Sequence, residues 1–223
     1  MAIAEPTAAP PPHLAPKPAL RGFFHLVAFP VSIVTGAVLV FGVASGTRDR
    51  IGALVYAVAC VILFGTSALY HRGTWGAVAH ARLRRADHAN IFLQIAGTYT
   101  PLCLALLDGT VRTVVLATVW VGAAAGIVFR AAWMSAPRWV YTPFYMALGW
   151  VAVAVLPQLW REGGAAVVWL IIAGGAGYTF GAVVYARRRP DPAPATFGYH
   201  EIFHLGTLVG FATHYAAVVL ALA

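Results

Sequence analysis

Apolar residues run through this 223-residue chain in long blocks, which short polar or glycine- and proline-containing connections separate. Seven blocks have roughly the 20-residue length that a helix needs to cross the hydrocarbon core of a bilayer. They cover roughly residues 23–44, 51–70, 87–107, 113–130, 140–157, 164–186 and 200–222. The pattern predicts an all-α fold, an integral membrane bundle of seven transmembrane helices within residues 21–223.

Residues 1–20 lack such a block and contain six of the fourteen prolines. Proline interrupts helices, and a segment so poor in large apolar side chains cannot bury a core. We therefore predict a disordered, proline-rich cytoplasmic tail ahead of the membrane domain. The first apolar block is too long for the core of a signal peptide, so we expect it to be retained.

Composition excludes several classes of protein. The chain is 61% hydrophobic and 10% charged, with a mean hydropathy of +0.78, whereas soluble domains carry about 25% charged residues. The two cysteines, Cys60 and Cys103, lie inside apolar blocks and offer neither a disulfide framework nor a cysteine-based zinc site. In a membrane protein, a net charge of +8 is typical of cytoplasmic loops, so we expect no nucleic-acid partner.

The distribution of basic residues predicts the orientation. Seven alternating helices place eleven of the fifteen Lys and Arg on the side of the N-terminus, and only Arg48, Arg50, Arg112 and Arg161 on the other. By the positive-inside rule the N-terminus is cytoplasmic and the C-terminus is outside. We expect a multi-pass protein of the cell membrane, most simply a bacterial plasma membrane.

The last block carries the clearest candidate chemistry. His200 and His204 are four residues apart, so on a helix of 3.6 residues per turn both imidazoles project from one face, as ligands of a shared metal ion would. In the predicted topology His71 ends the second helix and Asp87 starts the third, at the same cytoplasmic depth. Because these four residues are predicted to lie at the same depth, we expect them to form one site.

These residues suit a zinc site. His71, His200 and His204 would give three protein ligands and leave the fourth position open for water, as in catalytic zinc sites. Asp87 would then hold the water or accept its proton. Ser67, one helical turn before His71, could hydrogen bond to the water or to a substrate carbonyl.

Two further patterns leave alternatives open. A polar stripe on the third helix would either line a cavity or form interhelical hydrogen bonds; it consists of Asp87, Asn90, Gln94 and Thr98. Three GxxxG pairs would let helix backbones approach closely, within the bundle or in an oligomer; they are Gly122/Gly126, Gly177/Gly181 and Gly206/Gly210. Among the other histidines, we expect His13, His80 and His88 to be solvated and His214 to line the outer part of the cavity.

The motifs Ser67-x-x-x-His71, Asp87 and His200-x-x-x-His204 resemble the pattern of hemolysin III proteins and of the progestin and adipoQ receptors. The resemblance spans about residues 23–222 and includes the phrase IAGTYTP at residues 95–101. It implies a seven-helix bundle with a cytoplasmic N-terminus and a zinc ion held near the inner face by the three histidines. The adiponectin receptors and, more distantly, the alkaline ceramidases imply hydrolysis of lipid amides.

One departure from that pattern concerns the first helix, where many relatives start with an acidic residue and this chain offers His25. The favoured hypothesis is a zinc-dependent hydrolase acting on a membrane lipid amide, with Asp87 and Ser67 as catalytic groups. The alternatives are a receptor-like or membrane-stress protein with structural zinc, and a pore-forming cytolysin. A further alternative is an intramembrane protease, because His200-Glu201-x-x-His204 also satisfies the HExxH pattern.

Overall fold

The computed structural model describes residues 17–223, so residues 1–16 of the predicted tail lie outside the described part. Within residues 17–223 the fold is all-helical, with one isolated β-bridge between Ala193 and Phe197 and no strand. The α-helices are α1 (Phe23–Ala37), α2 (Gly46–Arg72), α3 (Ala77–Leu106), α4 (Gly109–Ala132), α5 (Arg138–Gly149), α6 (Leu156–Arg187) and α7 (Tyr199–Leu222). A π-helical turn, Val38–Val43, extends α1, and a 3-10 segment, Trp150–Val155, joins α5 to α6.

Six helical runs in the described part of the chain are long and apolar enough to cross a membrane. Five of them match predicted segments one to four and seven. The predicted fifth and sixth segments fall together in one run of 50 residues, Arg138–Arg187. The prediction of an all-helical multi-pass membrane protein is therefore confirmed, while the count of seven crossings stays a prediction.

The long run is not a uniform helix. Gly164 has a φ of 77° and a ψ of 176°, values outside the helical region, and the 3-10 segment lies further upstream. A positive φ is readily adopted only by glycine, which explains why the chain can turn at this position. The run thus consists of helical pieces joined at two irregular points.

The third helix begins ten residues earlier than its apolar block. Residues 77–86 are rich in alanine and arginine, which are strong helix formers, so α3 continues beyond the apolar part of the sequence. Asp87 is consequently in the third turn of α3, and the prediction that it starts the helix is wrong. α3 is also the central helix, packing against α2, α4, α5, α6 and α7.

The glycines of the GxxxG pairs lie at contacts between helices of the same chain. A Cβ atom on Gly206 would lie 2.9 Å from both the Gly177 carbonyl oxygen and the Gly181 Cα, so α6 and α7 approach with their backbones nearly in contact. The backbones of Gly122 and Gly126 face Leu148 and Phe92. This geometry explains the small residues as helix-packing positions, and oligomerisation through them stays a prediction.

Candidate metal centre

Three histidines converge where the end of α2 meets the start of α7. His71 is in the last turn of α2, while His200 and His204 occupy successive turns at the start of α7. Their ligand atoms all lie within 4.8 Å of one another, and the Nε2 atoms of His71 and His200 are 3.3 Å apart. The predicted convergence of these residues at one point is therefore observed.

One pair of imidazoles in the cluster has the separation expected for ligands of a shared metal ion. Two imidazole nitrogens bound tetrahedrally to one zinc ion at about 2.0–2.1 Å lie about 3.3–3.4 Å apart, close to the observed separation of His71 and His200. The buried Nδ1 of His204 has no hydrogen-bond partner within the described residues. The three imidazoles could hold a metal ion, although imidazole ligands suit zinc, copper, iron and nickel alike.

Asp87 and Ser67 lie beside the histidines. The Asp87 Oδ2 is 3.8 Å from the His71 Nε2, which is a close approach but too long for a hydrogen bond. Ser67 is buried on α2 and lines the same cavity as Asp87. Both side chains therefore lie next to the cluster, and Ser67 is on the helix that also carries His71.

A cavity leads away from this group into the bundle. The cavity has a volume of about 160 Å³. Its wall runs along α7 from His200 to His214. Most of the wall is apolar or aromatic, including Leu63, Ile91, Ile95, Met146, Tyr178 and Phe203. Ser67, Asp87, His200 and His204 line one end, so the polar cluster opens on an apolar chamber.

The polar stripe of α3 contributes both to the cavity wall and to hydrogen bonding between helices. Asp87, Gln94 and Thr98 line the cavity, whereas Asn90 is not part of its wall. The Gln94 amide also donates to the Thr98 Oγ1 at 3.2 Å and to the Cys60 Sγ on α2 at 3.3 Å. Gln94 therefore joins two helices and contributes to the cavity wall.

Comparison with known proteins decides the family. The family model described as Haemolysin-III related matches residues 14–215. The chain belongs to this family. It is 28% identical over 174 residues to the "Hemolysin-3 homolog" of Bacillus subtilis (strain 168), covering 76% of each chain. It is also 28% identical over 203 residues to "Hemolysin-3" of Bacillus cereus, covering 89% of this chain and 86% of that one.

This result confirms the haemolysin III resemblance. The predicted relation to the progestin and adipoQ receptors stays a prediction. So do the roles assigned to the three histidines, Asp87 and Ser67, because membership in the family does not by itself assign them.

Glu201 is the residue that gives this haemolysin III chain its HExxH pattern, and its carboxylate is fully buried. The Oε1 accepts a hydrogen bond from the Arg21 Nε at 2.7 Å, and the Oε2 accepts one from the Gly198 backbone N–H at 2.9 Å. Both oxygens are therefore engaged in an ion pair and a helix cap. This arrangement offers no carboxylate oxygen of Glu201 to a metal-activated water.

His25 on α1 is the residue of the site that the sequence did not assign. Its ring stacks on that of His204, and its Nε2 lies 3.0 Å from the Thr207 Oγ1. Because the Thr207 hydroxyl donates to the His204 carbonyl, it accepts from His25, which fixes the proton of His25 on Nε2. The departure from the relatives at this position was the one available signal.

The other histidines divide into three cases. The expectation that His88 is solvated is wrong, because its side chain is 12% exposed, lines the cavity and places Nδ1 2.8 Å from the Arg84 carbonyl. The early start of α3 at Ala77 places residue 88 well inside the helix instead of next to a loop. His214 lines the cavity as expected. His80 is half-buried beside the Tyr70 ring, and His13 lies outside the described residues.

Proposed function

We propose that this protein is a zinc-dependent hydrolase of lipid amide bonds in the cell membrane. One observation carries the proposal: a cluster of three histidines, with Asp87 beside it, opens on an apolar cavity inside a membrane protein. The resemblance to the adiponectin receptors and alkaline ceramidases gives the reaction class. The cavity gives the substrate class, because an acyl chain is the natural occupant of an apolar chamber within a bilayer.

The ligand set favours a catalytic over a structural zinc ion. Structural zinc sites have four protein ligands, whereas catalytic sites have three and keep one position open. Within residues 17–223 the cluster comprises three histidines. A zinc ion held there would supply Lewis acidity and would activate water.

Asp87 is the proposed general base. It accepts a proton from the water whose oxygen forms a bond to the amide carbon; the bond from carbon to nitrogen then breaks, and the proton passes to the leaving nitrogen. We assign Ser67 the role of orienting the Asp87 carboxylate, because both side chains line the same cavity beside the histidines. This role differs from the contact with a substrate carbonyl that the sequence predicts for Ser67.

We also propose seven crossings with the N-terminus in the cytoplasm. A straight helix of 50 residues would be about 75 Å long, more than twice the hydrocarbon core of about 30 Å. Two crossings within Arg138–Arg187 fit this length better than one, and the interruptions in the run support them. Together with the excess of basic residues at one set of connections, this topology puts the metal centre near the cytoplasmic face.

The test is removal and return of the metal. Purified protein in detergent micelles is stripped with a chelator, reloaded with Zn²⁺, and assayed at each stage against a panel of ceramide-like amides of different acyl length. We expect about one zinc ion per chain, loss of turnover on stripping and recovery on reloading. A zinc-loaded protein that hydrolyses no member of the panel would favour the receptor-like or membrane-stress alternative with a structural metal.

A further inference from the structure

The segment that precedes α1 bridges the two helix ends that carry the metal-binding histidines. We call residues 17–22 the N-terminal strap. At the end of α2, the Lys17 Nζ donates to the carbonyl oxygens of His71 and Gly73, at 3.1 and 2.7 Å. The Arg72 Nη1 donates to the Ala19 carbonyl at 3.0 Å. The strap therefore binds the last turn of α2, including the backbone of a proposed ligand.

The same strap binds the approach to α7. The backbone N–H groups of Ala19 and Leu20 donate to the carbonyls of Ala195 and Thr196, at 3.0 and 3.2 Å. The next residue, Arg21, forms the 2.7 Å ion pair with Glu201 in the first turn of α7. Both helix ends are consequently tied to one stretch of six residues that the sequence alone assigned mostly to a disordered tail.

The hydrogen bonds and the ion pair of the strap restrain the proposed ligands, because these ligands lie at helix ends and helix ends fray. Glu201 is the neighbour of His200 and lies three residues before His204, so holding its carboxylate fixes the rotation of the turn that carries both histidines. The carboxylate is fully buried, and removing one partner of a buried ion pair leaves a costly unpaired charge. Arg21 therefore acts on the site through the position of α7.

Gly22 sets the distance between the strap and His71. Its φ is 75°, in the left-handed region that glycine adopts readily. A Cβ atom at this position would lie 2.5 Å from the Cβ of His71. Any side chain here would strain the backbone and push the strap away from the histidine.

We propose that the N-terminal strap positions the three histidines for metal binding, with Arg21 and Gly22 as positioning residues. The strap contributes no metal ligand; it fixes the end of α2 relative to the start of α7. This inference depends on the proposed metal site. It also assigns the glutamate of the HExxH pattern a structural partner instead of a catalytic role.

The experiment measures metal binding by the full-length protein in detergent micelles. Zn²⁺ affinity is obtained by competition with a chromophoric chelator, and the absorption spectrum of bound Co²⁺ reports the coordination geometry. The variants are Arg21→Gln, Arg21→Lys and Gly22→Ala. The matched control is Arg48→Gln, which removes the same charge from an arginine that is 55% exposed and pairs only loosely with its neighbour Asp49.

We expect Arg21→Gln and Gly22→Ala to weaken Zn²⁺ binding by about 10–100-fold, as losses of groups that orient metal ligands do, and to alter the Co²⁺ spectrum. Arg21→Lys should recover part of the affinity because it keeps the charge. Arg48→Gln should match the wild type. Should Arg21→Gln fail to fold by gel filtration and helix content, Arg21→Lys and Gly22→Ala decide the outcome.

Two negative results are distinguishable. A wild type that binds neither Zn²⁺ nor Co²⁺ would overturn the proposed function and this inference together. A wild type that binds Zn²⁺, with equal affinity and an unchanged Co²⁺ spectrum in the folded strap variants, would overturn the inference and leave the proposed function intact.

Discussion

The imidazole of His25 lies flat against that of His204, with ring centroids 3.8 Å apart and planes within 4° of parallel. The contact joins α1 to α7 at the candidate metal centre. The Phe64 ring packs edge-on against the His25 ring, at a centroid distance of 5.1 Å. The orientation of a proposed ligand is thus set by a histidine that lies outside the group of three.

The first prediction separates His25 from the ligands. His25→Ala should retain zinc but bind it about 10–100-fold more weakly, because the ring that orients His204 is lost. His25→Phe keeps a flat ring and should retain more affinity than His25→Ala. Zinc content and chelator competition on both variants provide the measurement; a complete loss of zinc in His25→Phe would instead identify His25 as a ligand.

The ligands themselves should respond more strongly. His200→Ala and His204→Ala should each lose most of the zinc, since two remaining ligands rarely hold the ion against a chelator. His88→Ala is the control, because His88 lines the same cavity but lies outside the cluster. Metal analysis of the three purified variants tests this, and full occupancy in both ligand variants would refute the site.

Much of this site was predictable from sequence because helices that alternate in direction return to the same depth. The length of each apolar block places His71 and His200 at the same end of the bundle, and the helical period puts His204 on the face of His200. These two regularities are sufficient to identify the cluster. They do not depend on details of helix packing.

The remaining parts of the site depend on the rotation of each helix about its own axis and on segments that are not apolar. Hydropathy encodes neither of these. The departure from the relatives singles out His25, but its contact with His204 depends on which face of α1 turns toward α7. His88 was misplaced because α3 starts in a charged stretch that reads as a loop. The pairing of Arg21 with Glu201 joins residues 180 positions apart, one of them next to a proline-rich segment.

The close packing of α6 on α7 predicts that alanine substitutions at two glycines have very different effects on stability. Gly206→Ala should destabilise the protein by about 1–3 kcal/mol, because the new methyl would meet the backbone of α6. Gly149→Ala is the matched control: a Cβ there meets nothing within 4 Å and its φ of −65° suits alanine. Thermal unfolding in detergent provides the comparison, and equal stabilities would contradict the packing.

The proposed topology predicts the side of three connections. Reporters placed in 133–137 and 187–199 should be active in the cytoplasm, and one fused after Ala223 should be active outside. Paired reporters that function only inside or only outside should be used at each site. A cytoplasmic 133–137 with an external 187–199 would mean that Arg138–Arg187 crosses once.

The final prediction compares the two carboxylates of the site, Asp87 and Glu201, by isosteric substitutions that remove charge and basicity. Asp87→Asn keeps the three histidines and should still bind zinc, but under saturating Zn²⁺ its turnover of a ceramide-like amide should fall by about 10²–10⁴-fold, the usual cost of losing a general base. Glu201→Gln leaves Arg21 without its charged partner and should weaken zinc binding.

Once Glu201→Gln is loaded at saturating Zn²⁺, however, it should retain most of the wild-type turnover, because both oxygens of Glu201 are occupied away from the cavity. Zinc content and turnover must be measured on the same samples, so that a loss of metal is not mistaken for a loss of base. The opposite ranking, with zinc-loaded Glu201→Gln inactive and Asp87→Asn active, would assign the base to the HExxH glutamate and favour the protease chemistry of that motif.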